Sequence, residues 1–217
     1  MKSNYLHMDS CPSDLAKGWY ERGKEEVNRT TGAYDDRNDV ADLFRFVSYW
    51  IAFNHLYNYG IDDIEETDEI TRIKNYCDDH METLINLIDF DAEYMNVFKD
   101  RPILSWQGSP NQFDWSSPNA EEYIANSLFR RYNRLSIKKL RAKCRYAAQD
   151  FININDNSKP VEERIKSLMI SIYKVRCNLF HGMKTPDPGR DYDLVKNSAD
   201  VLETCLEELI NETFHRR

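Results

Sequence analysis

Glycine and proline are scarce in this chain, with seven of each among 217 residues. Scarce glycine argues against an all-β fold, because such folds need many tight turns. The length suits one domain and allows a substantial buried core. We therefore expect a single helical domain spanning residues 1–217.

Cysteine is also scarce, and its five copies are widely spaced without a CxxC pair. This odd count favours neither a disulfide framework nor a zinc ribbon, so we expect reduced thiols in a cytoplasmic protein. Two short pairs have metal-ligand spacing, Cys77-x-x-His80 and Glu212-x-x-His215. Neither has a second copy, so we expect no metal and no other cofactor.

Long apolar runs are missing as well. The most apolar stretch, residues 44–59, is interrupted by Arg45, Ser48, Asn54 and His55. We therefore expect no membrane-spanning helix, and the first residues lack the apolar core of a secretory signal. The net charge of −8 excludes general adhesion to nucleic acid, so a polyanion would need a local basic patch.

Helical periodicity covers most of what remains. Residues 101–119 interrupt it with three prolines and two tryptophans. We expect an ordered excursion pinned by Trp106 and Trp115, and the alternative is a lid or binding loop. Thr67 and Ser158 are the expected N-caps of two helices, and Gly60 and Gly182 are the expected stops. The predicted helices cover about 13–28, 38–59, 67–87, 93–98, 118–151, 158–181 and 192–214.

Two polar residues occupy positions where a core residue is expected. Arg176 follows Ile165 by 11 residues, so on a helix it lies on the same apolar face as Ile165. Asn54 follows Leu43 by 11 residues and lies on an apolar face in the same way. A guanidinium on a buried face is costly unless it is paired. The pattern allows a structural arginine paired to a carboxylate with a satisfied buried amide, and it equally allows two site residues.

His181 lies about 140° around an ideal helix from Arg176, so the two side chains do not converge on one straight helix. They can meet if the chain turns at Gly182, or if two subunits pack across this helix. The second arrangement predicts a homodimer.

Charge is unevenly distributed along the chain. Residues 130–145 hold eight Lys and Arg and no acid, and five of the eight recur at steps of 4, 4, 3 and 4. This basic strip is either a track for an RNA backbone or a solvated face that pairs with acids elsewhere. Residues 62–69, with six acids, are expected to be solvated, as are Asp200, Glu203 and Glu207. The candidate RNA-binding residues are Arg130, Arg134, Lys138, Arg141, Arg145 and Lys184.

The run from Val175 to Gly182 resembles the Arg-x-x-x-x-His signature of the HEPN superfamily (higher eukaryotes and prokaryotes nucleotide-binding). The segment from Trp50 to Asn54 resembles the second helix of a bacterial HEPN subgroup. The resemblance implies an all-α bundle of four or five core helices, with extra short helices and a central loop. It also implies a dimer whose motif helices meet at the interface.

Many HEPN proteins are metal-independent endoribonucleases that act as toxins or antiviral defence effectors. RNA carries its own nucleophile, the 2′-hydroxyl, so cleavage needs an acid, a base and positive charge at the phosphate. The resemblance makes His181 the acid or base and Arg176 the phosphate ligand. Asn178 can orient His181 or the phosphate, and Asn54 can position Arg176. Cys177 stands where the family usually has a polar residue.

We therefore expect a metal-independent endoribonuclease, and two alternatives remain open. The first is a catalytically inactive HEPN module that binds RNA or nucleotide, and the second is a helical protein-interaction subunit whose Arg176 is structural. The expected partners are an RNA substrate, a second copy of the chain and a neutralising protein.

Overall fold

The computed structural model describes residues 12–30, 37–61, 67–100, 103, 146, 149–180 and 188–215. All regular secondary structure within these residues is helical, which confirms the all-α prediction. The helices are α1 (Pro12–Thr30), α2 (Arg37–Asn58), α3 (Glu69–Asp79), α4 (Met81–Leu87), α5 (Asn96–Asp100), α6 (Val161–Phe180) and α7 (Pro188–His215). A 3₁₀ turn at Glu93–Met95 leads into α5, and residues 149–155 are also helical.

Helix α2 is the centre of the packing. It lies against α1 and α7, and it is buried on more than one face. Burial of large aromatic side chains supplies most of the apolar contact area along such a helix. After α2 ends at Asn58, Gly60 takes a φ of +74°, a left-handed conformation that glycine adopts without a Cβ clash. The buried α2 side chains include Phe46, Tyr49, Trp50, Phe53, Leu56 and Tyr57.

Helix α6 packs against α3 and α4 through the apolar stripe that its sequence predicts. Ile165, Leu168, Met169 and Ile172 are fully buried, and Leu179 packs against the same core. The stripe residues are thus buried as the 3.6-residue period predicts, but Ser167, Ile170 and Ser171 on the other sides of the helix are buried as well.

One predicted helix, covering about residues 67–87, is in fact two. Helix α3 ends at Asp79, and α4 begins at Met81 after His80, whose φ of −117° leaves the helical region. The N-cap of α3 is Asp68 rather than Thr67, because the Asp68 carboxylate accepts hydrogen bonds from the Thr71 backbone N–H and hydroxyl. A charged carboxylate also interacts favourably with the positive end of the helix dipole.

The start of α6 also differs from the prediction. Ser158 does not cap the helix, because its backbone N–H and hydroxyl both donate to Asp156 in the preceding turn. The Pro160 carbonyl instead accepts from the N–H groups of Glu163 and Arg164. Proline fits just outside the helix because it lacks an N–H of its own.

Several predicted segments lie outside the described residues. These are the excursion at residues 101–119, apart from the buried Ile103, and the basic strip at residues 130–145. Within the described helices, none combines the length and apolar character that crossing a bilayer requires.

Candidate functional site

The end of α2 and the start of α3 share a polar cluster formed by Asn54, Tyr57 and Glu69, which we call the Asn54 cluster. The Asn54 Nδ2 group donates to the Tyr57 hydroxyl oxygen and lies 3.4 Å from Glu69 Oε1. The Tyr57 hydroxyl in turn donates to Glu69 Oε1 at 2.5 Å. Glu69 is the last residue of the acidic run at 62–69, so the prediction that this run is solvated is wrong at Glu69.

Tyr57 connects this cluster to Arg176. Burial, and after it the hydrogen bond to Glu69, raises the pKa of Tyr57 well above its ordinary value. The positive charge of Arg176 acts on the pKa of Tyr57 in the opposite direction. The α6 arginine therefore lies within electrostatic reach of the α2 tyrosine.

Tyr173, on α6, completes the connection. Burial raises its pKa most, and Cys177 and Glu69 add to that rise. Its ring centroid lies 6.0 Å from that of Trp50, and the Trp50 centroid lies 6.1 Å from that of Tyr57. An aromatic layer thus joins α2 to α6 beside the Asn54 cluster.

Arg176 itself is half-buried, and no carboxylate of the described residues contacts its guanidinium. Its Nη1 lies 3.9 Å from the Cys177 Sγ atom, and its guanidinium carbon lies 5.2 Å from the centroid of the Phe180 ring. Its Nε is buried without a hydrogen-bond partner, and no ion pair joins it to a carboxylate among the described residues. Among the described residues, the guanidinium thus has a thiol and an aromatic ring beside it and no neutralising carboxylate.

Arg45 on α2 shows the opposite arrangement. Its guanidinium donates to Glu203 at 2.9 and 3.2 Å, to Asp42 at 3.1 Å and also to Asp200. Burial alone would lower the pKa of Arg45, but the hydrogen bond to Asp200 and the charges of Asp200 and Glu203 raise it above its ordinary value. Arg45 is therefore the paired, structural arginine of the described chain.

Sequence reasoning missed this role of Arg45 and expected Asp200 and Glu203 to line a solvated face. That expectation is wrong, because both carboxylates turn towards α2 and bind Arg45. Glu207 is more exposed, but it accepts a hydrogen bond from Tyr20 of α1. The available signal was a lone basic residue within the apolar stretch 44–59.

The structure brings together only part of the predicted site. Arg176, Cys177 and Asn178 are half-buried on the last turns of α6, and Asn54 belongs to the neighbouring polar cluster. Asn54 was expected to position Arg176, yet its amide bonds to Tyr57 and Glu69, and no hydrogen bond to Arg176 is found among the described residues. The others lie outside the described residues: His181, Lys184, Arg130, Arg134, Lys138, Arg141 and Arg145.

The two metal-type pairs of the sequence meet each other. His80 Nδ1 lies 2.8 Å from Glu212 Oε2, while Glu212 Oε1 accepts from the Thr83 hydroxyl. Cys77 is fully buried, and burial raises the pKa of its thiol. Within the described ranges, no three His, Cys, Asp or Glu residues form a group that could hold a metal ion.

No family model matches the chain, and no curated protein or solved structure matches it. The features that bear on function are therefore the two segments that resemble HEPN proteins and the surroundings of Arg176.

Proposed function

We propose that this chain is a HEPN-type endoribonuclease that cleaves RNA by attack of the 2′-hydroxyl without a metal cofactor. The observation that supports this proposal most is the state of Arg176. It lies beside the Asn54 cluster without an ion pair to any described carboxylate, whereas Arg45 is neutralised by three. An unpaired, positioned guanidinium suits an anionic ligand.

Arg176 supplies the charge that RNA cleavage needs. A guanidinium stays protonated throughout the reaction and can donate two parallel hydrogen bonds to phosphate oxygens. Charge grows on those oxygens as the 2′-oxygen attacks, so a fixed cation stabilises the transition state more than the ground state.

His181 follows the last described residue of α6 and carries the proton transfers in this proposal. Histidine titrates near neutral pH and can serve as base or acid. Cleavage needs both, whereas each chain offers one motif histidine, so we propose a homodimer with a composite site. Phe180, 54% exposed at the end of α6, is an apolar side chain that a second copy could cover.

We also propose that the basic strip and Lys184 hold the RNA backbone by charge. An active ribonuclease endangers the cell that makes it, so the role we propose is that of a toxin or antiviral defence effector. Such a protein acts in the cytoplasm and is held in check by a neutralising partner protein.

The test is RNA incubation in EDTA with wild type and His181→Ala, after circular dichroism has shown both to be folded. We expect wild type to cut RNA in EDTA and His181→Ala to lose about 10²–10⁴-fold in rate. His7→Ala, a histidine change outside the motif, is the matched control and should cut normally. RNA binding without cleavage by wild type would instead identify the inactive binding module.

A further inference from the structure

The Asn54 amide is held in one orientation by the chemistry of its neighbours. An ionised Glu69 carboxylate can only accept hydrogen bonds, so the single proton of the Tyr57 hydroxyl must point towards it. The Tyr57 oxygen is then an acceptor, and only the NH₂ group of Asn54 can bond to it. The direction of donation runs from Asn54 through Tyr57 to Glu69.

This row of hydrogen bonds leaves the carbonyl oxygen of the Asn54 side chain without a partner among the described residues. Asn54 Oδ1 makes no hydrogen bond to any residue that the structure describes, and Asn54 itself is only half-buried. The ring centroid of Trp50 lies 6.1 Å from that of Tyr57 and 6.0 Å from that of Tyr173, which stands one turn before Arg176 on α6. This acceptor and the proposed phosphate ligand therefore lie on adjoining parts of α2 and α6, and the charge of Arg176 acts on Tyr57. A ligand bound there meets a fixed acceptor and a fixed cation.

We propose that Asn54 Oδ1 accepts a hydrogen bond from the 2′-hydroxyl of bound RNA, and that Tyr57 and Glu69 are positioning residues for this contact. The proposal rests on the ribonuclease function proposed above. In RNA each phosphate is attached to a ribose, so a phosphate on Arg176 brings a 2′-hydroxyl into the same region. A hydroxyl donor is what a carbonyl acceptor selects, and deoxyribose lacks it.

The two positioning residues have separate tasks. Tyr57 relays the bond, and the negative charge of Glu69 sets its direction. A glutamine at position 69 could donate to Tyr57, which would let Tyr57 donate to Asn54 and turn the amide around. Glu69→Gln keeps the size of the side chain and its capacity for hydrogen bonds, so a purely structural role would be largely preserved in that variant.

The experiment measures discrimination between RNA and DNA by binding alone. A His181→Ala background prevents cleavage, and fluorescence anisotropy gives the affinities for a single-stranded RNA and for the 2′-deoxy strand of the same base sequence. We expect the parent to prefer RNA by about fivefold, the typical effect of one hydrogen bond. Asn54→Ala, Tyr57→Phe and Glu69→Gln should each bring this ratio close to one, with the affinity for the deoxy strand unchanged.

The chain contains a matched control for both positioning variants. Tyr20 on α1 is buried and donates to Glu207 Oε2 at 3.1 Å, which is again a tyrosine bonded to a carboxylate on another helix. Tyr20→Phe and Glu207→Gln make the same chemical changes away from the Asn54 cluster. They should leave the RNA-to-DNA ratio at its parental value.

Each outcome decides the question. A parental ratio in folded Tyr57→Phe or Glu69→Gln overturns the inference, and so does a parent that binds both strands equally or binds neither. Equal losses for RNA and DNA in these variants would assign them a structural role instead. If Tyr57→Phe does not fold, Glu69→Gln decides. If wild type prefers RNA and the three variants abolish that preference, but wild type never cleaves RNA, the proposed ribonuclease is refuted and the inference stands.

Discussion

Arg45 on α2 and Glu203 on α7 form an ion pair in which Nη2 lies 2.9 Å from Oε2. Asp42 and Asp200 contact the same guanidinium, so burial of this arginine is balanced by three carboxylates. Arg176 on α6 makes no ion pair to any carboxylate in the described part of the chain. Arg45 thus links α2 to α7 by ion pairs, whereas no described carboxylate balances the charge of Arg176.

This difference predicts effects of unequal size on stability. Arg45→Ala leaves three carboxylates facing one another without their cation, and we expect it to lower the free energy of unfolding by about 3 kcal/mol. Arg176→Ala breaks no ion pair to a described carboxylate and should lower it by about 1 kcal/mol or less. Urea unfolding followed by circular dichroism measures both values.

Asp14→Ala on α1, an exposed residue, is a suitable reference for this series. It should change the unfolding midpoint little, because exposed substitutions are usually almost neutral. If Arg176→Ala were as destabilising as Arg45→Ala, the structural interpretation of Arg176 would be restored.

Tyr57 makes stability depend on pH in the alkaline range. Burial and the bond to Glu69 raise the pKa of Tyr57 above its usual 10.0, so above that pH the folded chain keeps a proton that the unfolded chain releases. This contribution is fully present below about pH 10 and is lost as the pH rises further, by up to about 1.4 kcal/mol per pH unit. Tyr57→Phe should therefore show a shallower alkaline loss of stability than wild type.

Urea midpoints between about pH 9 and pH 11 test this dependence. Tyr146, 69% exposed, provides the control, because Tyr146→Phe removes a side chain that is largely in water in both states. Parallel alkaline curves for wild type and Tyr57→Phe would contradict the burial of the Tyr57 hydroxyl against Glu69.

The sequence alone located one of the three residues of the Asn54 cluster, Asn54, and it also located Arg176. Asn54 and Arg176 were identified because a polar residue that breaks a 3.6-residue apolar stripe is visible in one helix at a time. Glu69 was missed because it ends a run of acids, a pattern typical of a solvated segment. The role of Tyr57 was also missed, since its hydroxyl bond is made with another helix.

The spacing of apolar residues likewise does not predict which distant helices pack against each other. Arg45 and Glu203 are 158 positions apart, and nothing in the α7 pattern shows that its acids face α2. Helix existence and buried faces follow from local spacing, whereas the choice of partner depends on packing of the whole chain. The break at His80 is also tertiary in origin, because His80 contacts Glu212 of α7.

The proposed dimer can be tested at Phe180. If α6 packs against its copy, Phe180→Asp should place a charge in the contact and weaken the dimer. Phe44, 57% exposed on α2, is a matched aromatic, and Phe44→Asp should leave the assembly intact. Light scattering at micromolar concentration gives the oligomeric state, and a strict monomer with full ribonuclease activity would refute the composite site.

The basic strip predicts how RNA binding depends on salt. Reversing Arg134, Lys138 and Arg141 to Glu should weaken RNA binding and flatten the slope of log affinity against log salt by about 2. The control reverses three exposed lysines elsewhere, Lys17, Lys74 and Lys196, with the same change in net charge. If both triple variants change RNA affinity and its salt dependence equally, the strip is a solvated face and does not bind RNA specifically.

The ends of the RNA fragments should show which chemistry cuts the chain. Attack by the 2′-hydroxyl leaves a 2′,3′-cyclic phosphate or its hydrolysis product, and a DNA strand should stay intact because it lacks the nucleophile. Arg176→Lys should cut poorly, because an ammonium group cannot form the two parallel bonds of a guanidinium to phosphate. Arg164→Lys is the matched control, since Arg164 bonds to the Ile154 carbonyl at the other end of α6 and should tolerate the change.

Product ends can be read by treating the fragments with a phosphatase before and after acid opening of the cyclic phosphate. Fragments that end in a 3′-hydroxyl, or activity that EDTA abolishes, would contradict 2′-hydroxyl attack and require a hydrolytic, metal-assisted cut. Full activity in Arg176→Lys would show that one positive charge suffices at this position. We expect the stricter requirement, because a guanidinium presents several donors in a fixed plane to a phosphate, whereas an ammonium acts as a single point of charge.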